Sequence, residues 1–377
     1  MGGGVVKLTA EQAELAEAAR WIARHIPPSA ADPTALAVLL DADGDLLTVA
    51  YNSVETAASV AVDAHVLTPG RAAVSGKIFA DIVAALPPVP VDVAGDESGV
   101  DVVGGANTFR LGLLDTAAYP ALPPMPPVSG TVPGDLFATA VANVAVAVDG
   151  AVAALPELGG IRIRPETDGH LTFTATDRYR VAVQRIPWQP AGDAVTALLP
   201  GRALIDIAKT AGSADHVDLA LTGKAAGIQA GRRTSVSRLL PIDKFPNADA
   251  AFPKEYTATV TCDAGELAAT VKRISLLLEG DQAVELDIAH DHMTLQALRN
   301  PKATGTARID CRLDGTDTFD VAFNPRYLLD GLAPLDGDVA IDLTTHARPA
   351  LLHADINHPT YQYLVVPVRD PAKAAKT

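Results

Sequence analysis

The residues that most often carry chemistry are scarce in this 377-residue chain. There are two cysteines, Cys262 and Cys311, three methionines, and an aromatic content of 5%. Two thiols confined to the last third argue against a disulfide framework. Catalytic signatures are also missing: there is no G-x-G-x-x-G, no G-x-x-x-x-G-K-[ST], no G-x-S-x-G and no H-E-x-x-H. A protein without its own catalytic site and without a cofactor is therefore expected. No apolar run reaches the roughly 18 residues of a spanning helix. Met1-Gly2-Gly3-Gly4 lacks the basic-then-apolar start of a signal peptide, so a cytoplasmic location with no membrane partner is expected.

Two segments imitate metal sites. Asp41-Ala42-Asp43-Gly44-Asp45 resembles the start of a calcium loop, but the glycine comes at position 4 and Asn52 stands where the closing glutamate belongs, so a hairpin turn is expected. His346, His353 and His358 are loosely spaced with no cysteine nearby, which suits surface or strand histidines and no metal.

What the chain does have is apolar content, 48% of it, carried by Ala, Val and Leu, and a formal net charge of −15. Spread evenly, that charge repels nucleic acid; DNA binding requires the cations to be gathered on one surface. The chain also repeats itself. Ser75-Gly76-Lys77-Ile78-Phe79-Ala80-Asp81-Ile82, Pro200-Gly201-Arg202-Ala203-Leu204-Ile205-Asp206-Ile207 and Asn324-Pro325-Arg326-Tyr327-Leu328-Leu329-Asp330-Gly331 each set a helix-start signal before a cation and an aspartate four residues apart. The copies recur at intervals of about 125 residues, which implies a triplicated domain rather than a solenoid. The expected domains are 1–127, 128–253 and 254–377.

Each third reads as helices plus many strands, an α+β class. In the first, a strand at Val5 to Leu8 precedes a helix from about Ala10 to Ile26, with Thr9 as the cap and Leu15, Ala19, Ile22 and Ile26 as its apolar stripe. Strands follow at Leu36–Asp41, Leu46–Val49, Val89–Val93, Val100–Val103 and Thr108–Leu113. In the second, a helix from Gly134 to Val148 precedes strands at Ile161–Arg164, Leu171–Ala175 and Val181–Ile186. The third has a strand at Thr257–Thr261, a helix from about Asp263 to Leu278, and strands at Val284–Ile288, Met293–Leu298 and Tyr363–Val368, with a loose tail after residue 369.

Thr176-Asp177-Arg178-Tyr179-Arg180-Val181 crowds two arginines and a tyrosine between two apolar strands, and taken alone it reads as a polar turn. Together with Arg238-Leu239-Leu240 before Phe245-Pro246, with Phe323 to Leu332, and with the ending Tyr363 to Arg369, it resembles the bacterial sliding clamp family, the beta subunit of DNA polymerase III. The resemblance spans nearly the whole chain. It implies three tandem domains, each with two helices inside and sheets outside, and a head-to-tail homodimer closing a ring on duplex DNA. The implied DNA-facing cations are Arg20, Arg24, Lys77, Arg202, Lys209, Lys272, Arg273 and Arg326. Their contacts would be sequence-independent and salt-sensitive.

The resemblance further implies a pocket between the second and third domains for a short clamp-binding motif, as presented by the DNA polymerase III alpha subunit, the clamp loader and repair proteins. Its matching positions are Leu158, Thr176, Arg178, Tyr179, Arg180, Val181 and Pro246, then Asn324, Tyr327, Pro349, Val366, Pro367, Val368 and Arg369. Leu158, Val181, Val366 and Val368 would form an apolar floor, while Arg180, Tyr327 and Arg369 fix orientation. At the dimer joint, Phe109 and Leu111 would pack on Leu276 and Leu277 of the second copy.

Some positions depart from the family pattern. The helix after Gly134 carries no cation; Asn247-Ala248-Asp249-Ala250-Ala251 stands where basic and larger apolar residues are usual; Ala50 to Glu55 replaces a Thr-Asp segment; and Asp370 to Thr377 extends the usual terminus. An accessory or inhibitor-resistance paralogue with an altered pocket is the alternative function. An enzyme acting in an inter-domain cleft, the third possibility, has no motif behind it.

Overall fold

The computed structural model describes residues 6–53, 55–116, 119–149, 155–280, 282–297, 303–354 and 360–368. Its described helices are α1 (Gln12–Ala23), α2 (Gly76–Ala85), α3 (Gly134–Ala145), α4 (Gly201–Ala211), α5 (Ala264–Ser275) and α6 (Pro325–Leu332). Each copy of the repeated block is the junction where a strand feeds a helix. Gly70–Ser75 runs into α2, Ala197–Pro200 into α4 and Thr318–Phe323 into α6.

The amphipathic spacing explains why these segments are helical. In α5 the buried residues Leu267, Val271 and Ile274 recur at one helical face, and the Asp263 side chain caps the start by accepting from Glu266 N at 2.7 Å. In α6 the Asn324 side chain accepts from Arg326 N at 2.9 Å. The first helix begins later than expected. Its cap position is Glu11, and Thr9 lies in the strand Lys7–Ala10, where its hydroxyl donates to Asp92 Oδ1 at 2.5 Å across the sheet. Leu15, Ala19, Ile22 and Ile26 are all buried, as their spacing requires.

The chain forms two compact units, Met1–Thr139 with Trp188–Leu240, and Ala140–Pro187 with Pro241–Thr377. The central third contributes to both. The first unit contains a thirteen-stranded sheet, ordered from Gln189–Pro190 through Gly130–Pro133, His216–Leu221, Ala225–Ala230, Arg233–Arg238, Thr56–Thr68, Lys7–Ala10, Val91–Gly95 and Val100–Gly104 to the edge strand Asn107–Leu111. Thr56–Thr68, an alanine-rich strand with weak intrinsic preference for extended backbone, pairs with Leu46–Asn52, Lys7–Ala10 and Arg233–Arg238 and joins the sheet's parts. Leu46–Asn52 and Ala37–Asp43 form the expected hairpin, its turn made by Gly44 at φ 57°.

In the second unit, Gly160–Pro165, His170–Thr176, Arg180–Pro187 and Tyr361–Val365 pair in succession, and Ala350–His353, Asp338–Leu343, Ala258–Asp263 and Arg312–Asp314 continue the sheet. A four-stranded sheet, Thr306–Asp310, His292–Ala297, Val284–Ala289 and Thr318–Phe323, has Thr306–Asp310 as one of its two edges. Gly331 in α6 lets the Tyr363 ring lie against the helix; a Cβ there would meet Tyr363 Cδ1 at 2.3 Å.

Candidate functional site

In the second unit a tight turn joins His170–Thr176 to Arg180–Pro187, and it is built almost entirely from its own side chains. The Thr176 hydroxyl donates to Arg180 O at 2.7 Å and accepts from Arg178 N at 3.1 Å. One Asp177 carboxylate oxygen accepts from Tyr179 N at 2.9 Å and Arg180 N at 3.0 Å. Arg178 sits at φ 75°, the one described non-glycine residue at positive φ, a conformation that costs a residue with a Cβ on the order of 1 kcal/mol.

Arg180 holds the turn to α6. Only 6% exposed, it donates from Nε to Asp177 Oδ2 at 2.8 Å and from Nη1 to Asp330 Oδ2 at 2.5 Å. Its guanidinium carbon lies 4.4 Å from the centre of the Tyr327 ring. The Tyr363 hydroxyl donates to Tyr327 O at 2.9 Å. Exposed Tyr179 stacks on Tyr327 with ring centres 6.3 Å apart. Val366 N donates to Tyr179 O at 2.8 Å and Val368 N to Ala322 O at 2.7 Å, so the last described residues run beside the turn. Val181 stands opposite Leu364, and Pro367 is buried between half-buried Val366 and Val368. The result is a shallow basin with two stacked tyrosines and two valines on its surface.

The structure therefore gathers Thr176, Arg178, Tyr179, Arg180, Val181, Asn324, Tyr327, Val366, Pro367 and Val368 in one region. Leu158 is buried in the short turn Pro156–Gly159, Pro246 follows Phe245, and Pro349 precedes the strand Ala350–His353. Arg369 lies outside the described residues. Sequence reasoning missed the carboxylates that immobilise Arg180. Asp330 belongs to the repeated block, where the spacing assigned it to Arg326; Arg326 Nε is 4.0 Å away, and Arg180 occupies Asp330 instead.

The other two blocks depart further from that pairing. Arg202 donates to Arg24 O at 3.0 Å, Asp206 pairs with Lys209 at 3.1 Å, and Lys77 donates to Pro27 O at 3.0 Å. The repeated cation and aspartate share a helix, yet in only one of three copies do they come within ion-pair distance.

The departing segment 247–251 forms a helical turn, Ala248–Ala251, capped by Asn247 and clamped by Asp249 to Arg162 at 2.8 Å and to Arg164 at 2.7 Å. These two cations hold the Asp249 carboxyl below its usual range against the opposing effect of burial. A cleft of about 410 Å³ opens alongside, lined by Arg164, Thr172, Val183, Arg185, Asp249 and Phe252.

The eight DNA-facing candidates are exposed at or near helix ends and faces, five in the first unit and three in the second. The six described helices together carry seven cations and seven acids, so the whole excess of negative charge lies outside them. At the proposed dimer edges Phe109 is 40% and Leu276 85% exposed, Leu277 is half-buried, and Leu111 is buried in its own unit. His353 donates or accepts at Asp342 Oδ2, 2.9 Å away, His346 lies 3.7 Å from Asp320, and His358 is outside the described residues. Among the described residues no cluster of His, Cys, Asp or Glu is placed to hold a metal, and no helix is long and apolar enough to cross a membrane.

Three repeats of two helices against sheets define a DNA-clamp class of fold. Solved structures with that fold include a Bacillus subtilis DNA polymerase sliding clamp (TM-score 0.90, 21% identical, covering 97% of this chain and 100% of that one). A Pseudomonas aeruginosa sliding clamp bound to griselimycin is also similar (TM-score 0.88, 22% identical, 98% and 100% covered). The chain belongs to the DNA polymerase III beta subunit family: the N-terminal, central and C-terminal domain models match residues 6–123, 131–247 and 249–369. It is 38% identical to the beta sliding clamp of Streptomyces coelicolor and 36% identical to the beta sliding clamp homolog GriR of Streptomyces muensis, each covering 97% of this chain and 99% of the relative.

Proposed function

We propose that the chain is a DNA sliding clamp, a processivity factor in DNA replication that encircles duplex DNA and tethers polymerases, the DNA polymerase III alpha subunit among them, and that it performs no catalysis of its own. The observation that carries this reading, beyond family membership, is that seven cations offset seven acids on the helices of a chain with a net charge of −15. A surface that is neutral overall, with exposed Arg and Lys tips, attracts phosphates without gripping them, as sliding requires. Two copies close head to tail, the edge Asn107–Leu111 of one beside the edge Thr306–Asp310 of the other, with Phe109 and Leu276 as the exposed apolar contacts.

The basin around Tyr179, Tyr327, Val366 and Val368 receives the short apolar motif of polymerases, the clamp loader and repair proteins in the cytoplasm. Two measurements test this. The protein, loaded on nicked circular duplex by a clamp loader and ATP, should stay bound and be released when the circle is cut. A fluorescent clamp-motif peptide should bind with micromolar affinity, about −8 kcal/mol, and lose it in Tyr179→Ala/Tyr327→Ala protein of unchanged circular dichroism. Release from uncut circles, or no peptide binding by the folded wild type, overturns the reading.

The Asp249 clamp favours a second version of the same function, an accessory clamp whose pocket tolerates an inhibitor. Equal affinity for griselimycin in this protein and in the Streptomyces coelicolor clamp would exclude it. Weaker griselimycin binding restored by Asp249→Arg would support it.

A further inference from the structure

In the second unit Cys262 lies in the strand Ala258–Asp263, and Cys311 is the single residue between the strands Thr306–Asp310 and Arg312–Asp314. Ala258–Asp263 and Arg312–Asp314 are registered with Thr259 opposite Asp314, Val260 opposite Leu313 and Thr261 opposite Arg312. Extended one step past Arg312, where the strand ends, that register sets Cys262 against Cys311, whose N donates to Asp291 O at 3.2 Å and whose Sγ lies 3.9 Å from Ala289 O. Val260 and Leu313, on the same face, are both buried, and Cys262 is 4% exposed while Cys311 is half-buried. Directly opposed residues in an antiparallel pair have Cα atoms roughly 4.5–5.5 Å apart, inside the 4.4–6.8 Å span of disulfides, with both Cβ atoms on one side. Both thiols are free and line one cavity of about 390 Å³, which gives a small oxidant a route to them.

We propose that Cys262 and Cys311 are an oxidisable pair that closes to an intrachain disulfide in the C-terminal domain. With hydrogen peroxide, the Cys311 sulfur, the more exposed of the two, attacks one oxygen. The O–O bond breaks, Cys311 becomes a sulfenic acid, and one water leaves after proton transfer. The Cys262 sulfur then displaces the hydroxyl, the S–S bond forms, and the second water leaves. Two thiols lose two electrons in all, and the peroxide gains them.

The surroundings make the reaction slow at neutral pH. Burial, with Asp291 and Asp310 beside it, pushes the Cys311 thiol up to about 11. Burial, then Cys311 and the carboxylates of Asp263, Asp338 and Glu266, pushes Cys262 up to about 12. Arg312, the one cation lining the cavity, does not offset them. The thiolate fraction, and with it the rate, should rise about tenfold per pH unit between pH 7 and 9. The bond would tie the crossover between the two sheets to the strand entering α5 and restrict a long loop in the unfolded chain.

The test is peroxide treatment of the full-length folded protein at pH 7 and pH 9, followed by iodoacetamide trapping and mass spectrometry. The expected product is lighter by two hydrogen atoms, carries no alkylated cysteine, yields a linked peptide pair spanning positions 262 and 311, and reverts with dithiothreitol. Its thermal midpoint should rise by several degrees, and Cys311→Ser protein should show neither change. Alkylatable Cys262 beside an over-oxidised Cys311, disulfide-linked dimers, or no reaction at pH 9 would each overturn the proposal.

Discussion

Arg180 shows how much of a site residue's setting lies beyond the sequence around it. As the second arginine of an exposed-looking turn, it reads as a hand reaching toward a ligand. In the structure it is buried, and two carboxylates and a tyrosine ring already occupy it. Arg180→Ala should therefore act on the fold, costing about 3 kcal/mol in chemical denaturation because it strands Asp177 and Asp330. Tyr179→Ala, with its side chain 57% exposed, should change stability by less than about 0.5 kcal/mol while weakening clamp-motif peptide binding by about 1–2 kcal/mol. Beside them, Arg178 at φ 75° predicts that Arg178→Gly stabilises the protein by about 0.5–1 kcal/mol, and Arg178→Val destabilises it, measured by urea midpoints.

His25 makes the residue-scale prediction in pH. Its ring packs on Trp21, Nδ1 meets Trp21 O at 3.1 Å, and burial, the largest influence, lowers its pKa below 6.5. The unfolded chain therefore takes up the proton first as pH falls, so stability contributed by neutral His25 is full at pH 7 and above. It declines from about pH 6.5 downward toward the folded-state pKa. Stability curves between pH 7.5 and 5 should show this decline in the wild type and a smaller one in His25→Phe; parallel curves would assign the pH dependence to other groups.

At the scale of elements, helices were legible and sheet partners were not. The apolar stripes of α1 and α5 and the block that starts α2, α4 and α6 are local signals, and each helix lies within a few residues of its expected position. Thr9 misled because a threonine before a helical pattern looks the same in sequence whether it caps the helix or ends a strand; only the cross-strand Asp92 decides. Thr56–Thr68 escaped notice because its order comes from three partner strands rather than its own alanines. The candidate basin was legible as a list because its segments are distinctive. The bond that holds it, Arg180 to Asp330, and the Asp249 to Arg162 bond beside the neighbouring cleft span 150 and 87 positions, and no local pattern announces them. Gly331 is another such contact. Gly331→Ala in α6 should favour the isolated helix yet destabilise the protein by about 1–3 kcal/mol, since the Tyr363 ring leaves no room for a methyl group; a raised thermal midpoint would contradict that packing.

At the scale of the whole molecule, the charge of −15 and the proposed role on DNA are compatible only through segregation. The acids outnumber the cations off the helices and equal them on the helices. Such a surface should bind open linear duplex weakly and depend on topology for retention, with each phosphate contact adding a slope of about −0.9 to the plot of log K against log salt. Lys272 and Arg273, adjacent and exposed on α5, should contribute two of these contacts in each copy. Lys272→Ala/Arg273→Ala should weaken linear-duplex binding uniformly across sequences and flatten the slope by about 2 per copy. Clamp-motif peptide affinity and the circular dichroism spectrum should remain unchanged. An unaltered salt slope would show that α5 does not face the duplex. A flattened slope with continued retention on closed circles would show that the ring, not the charges, keeps the protein on DNA.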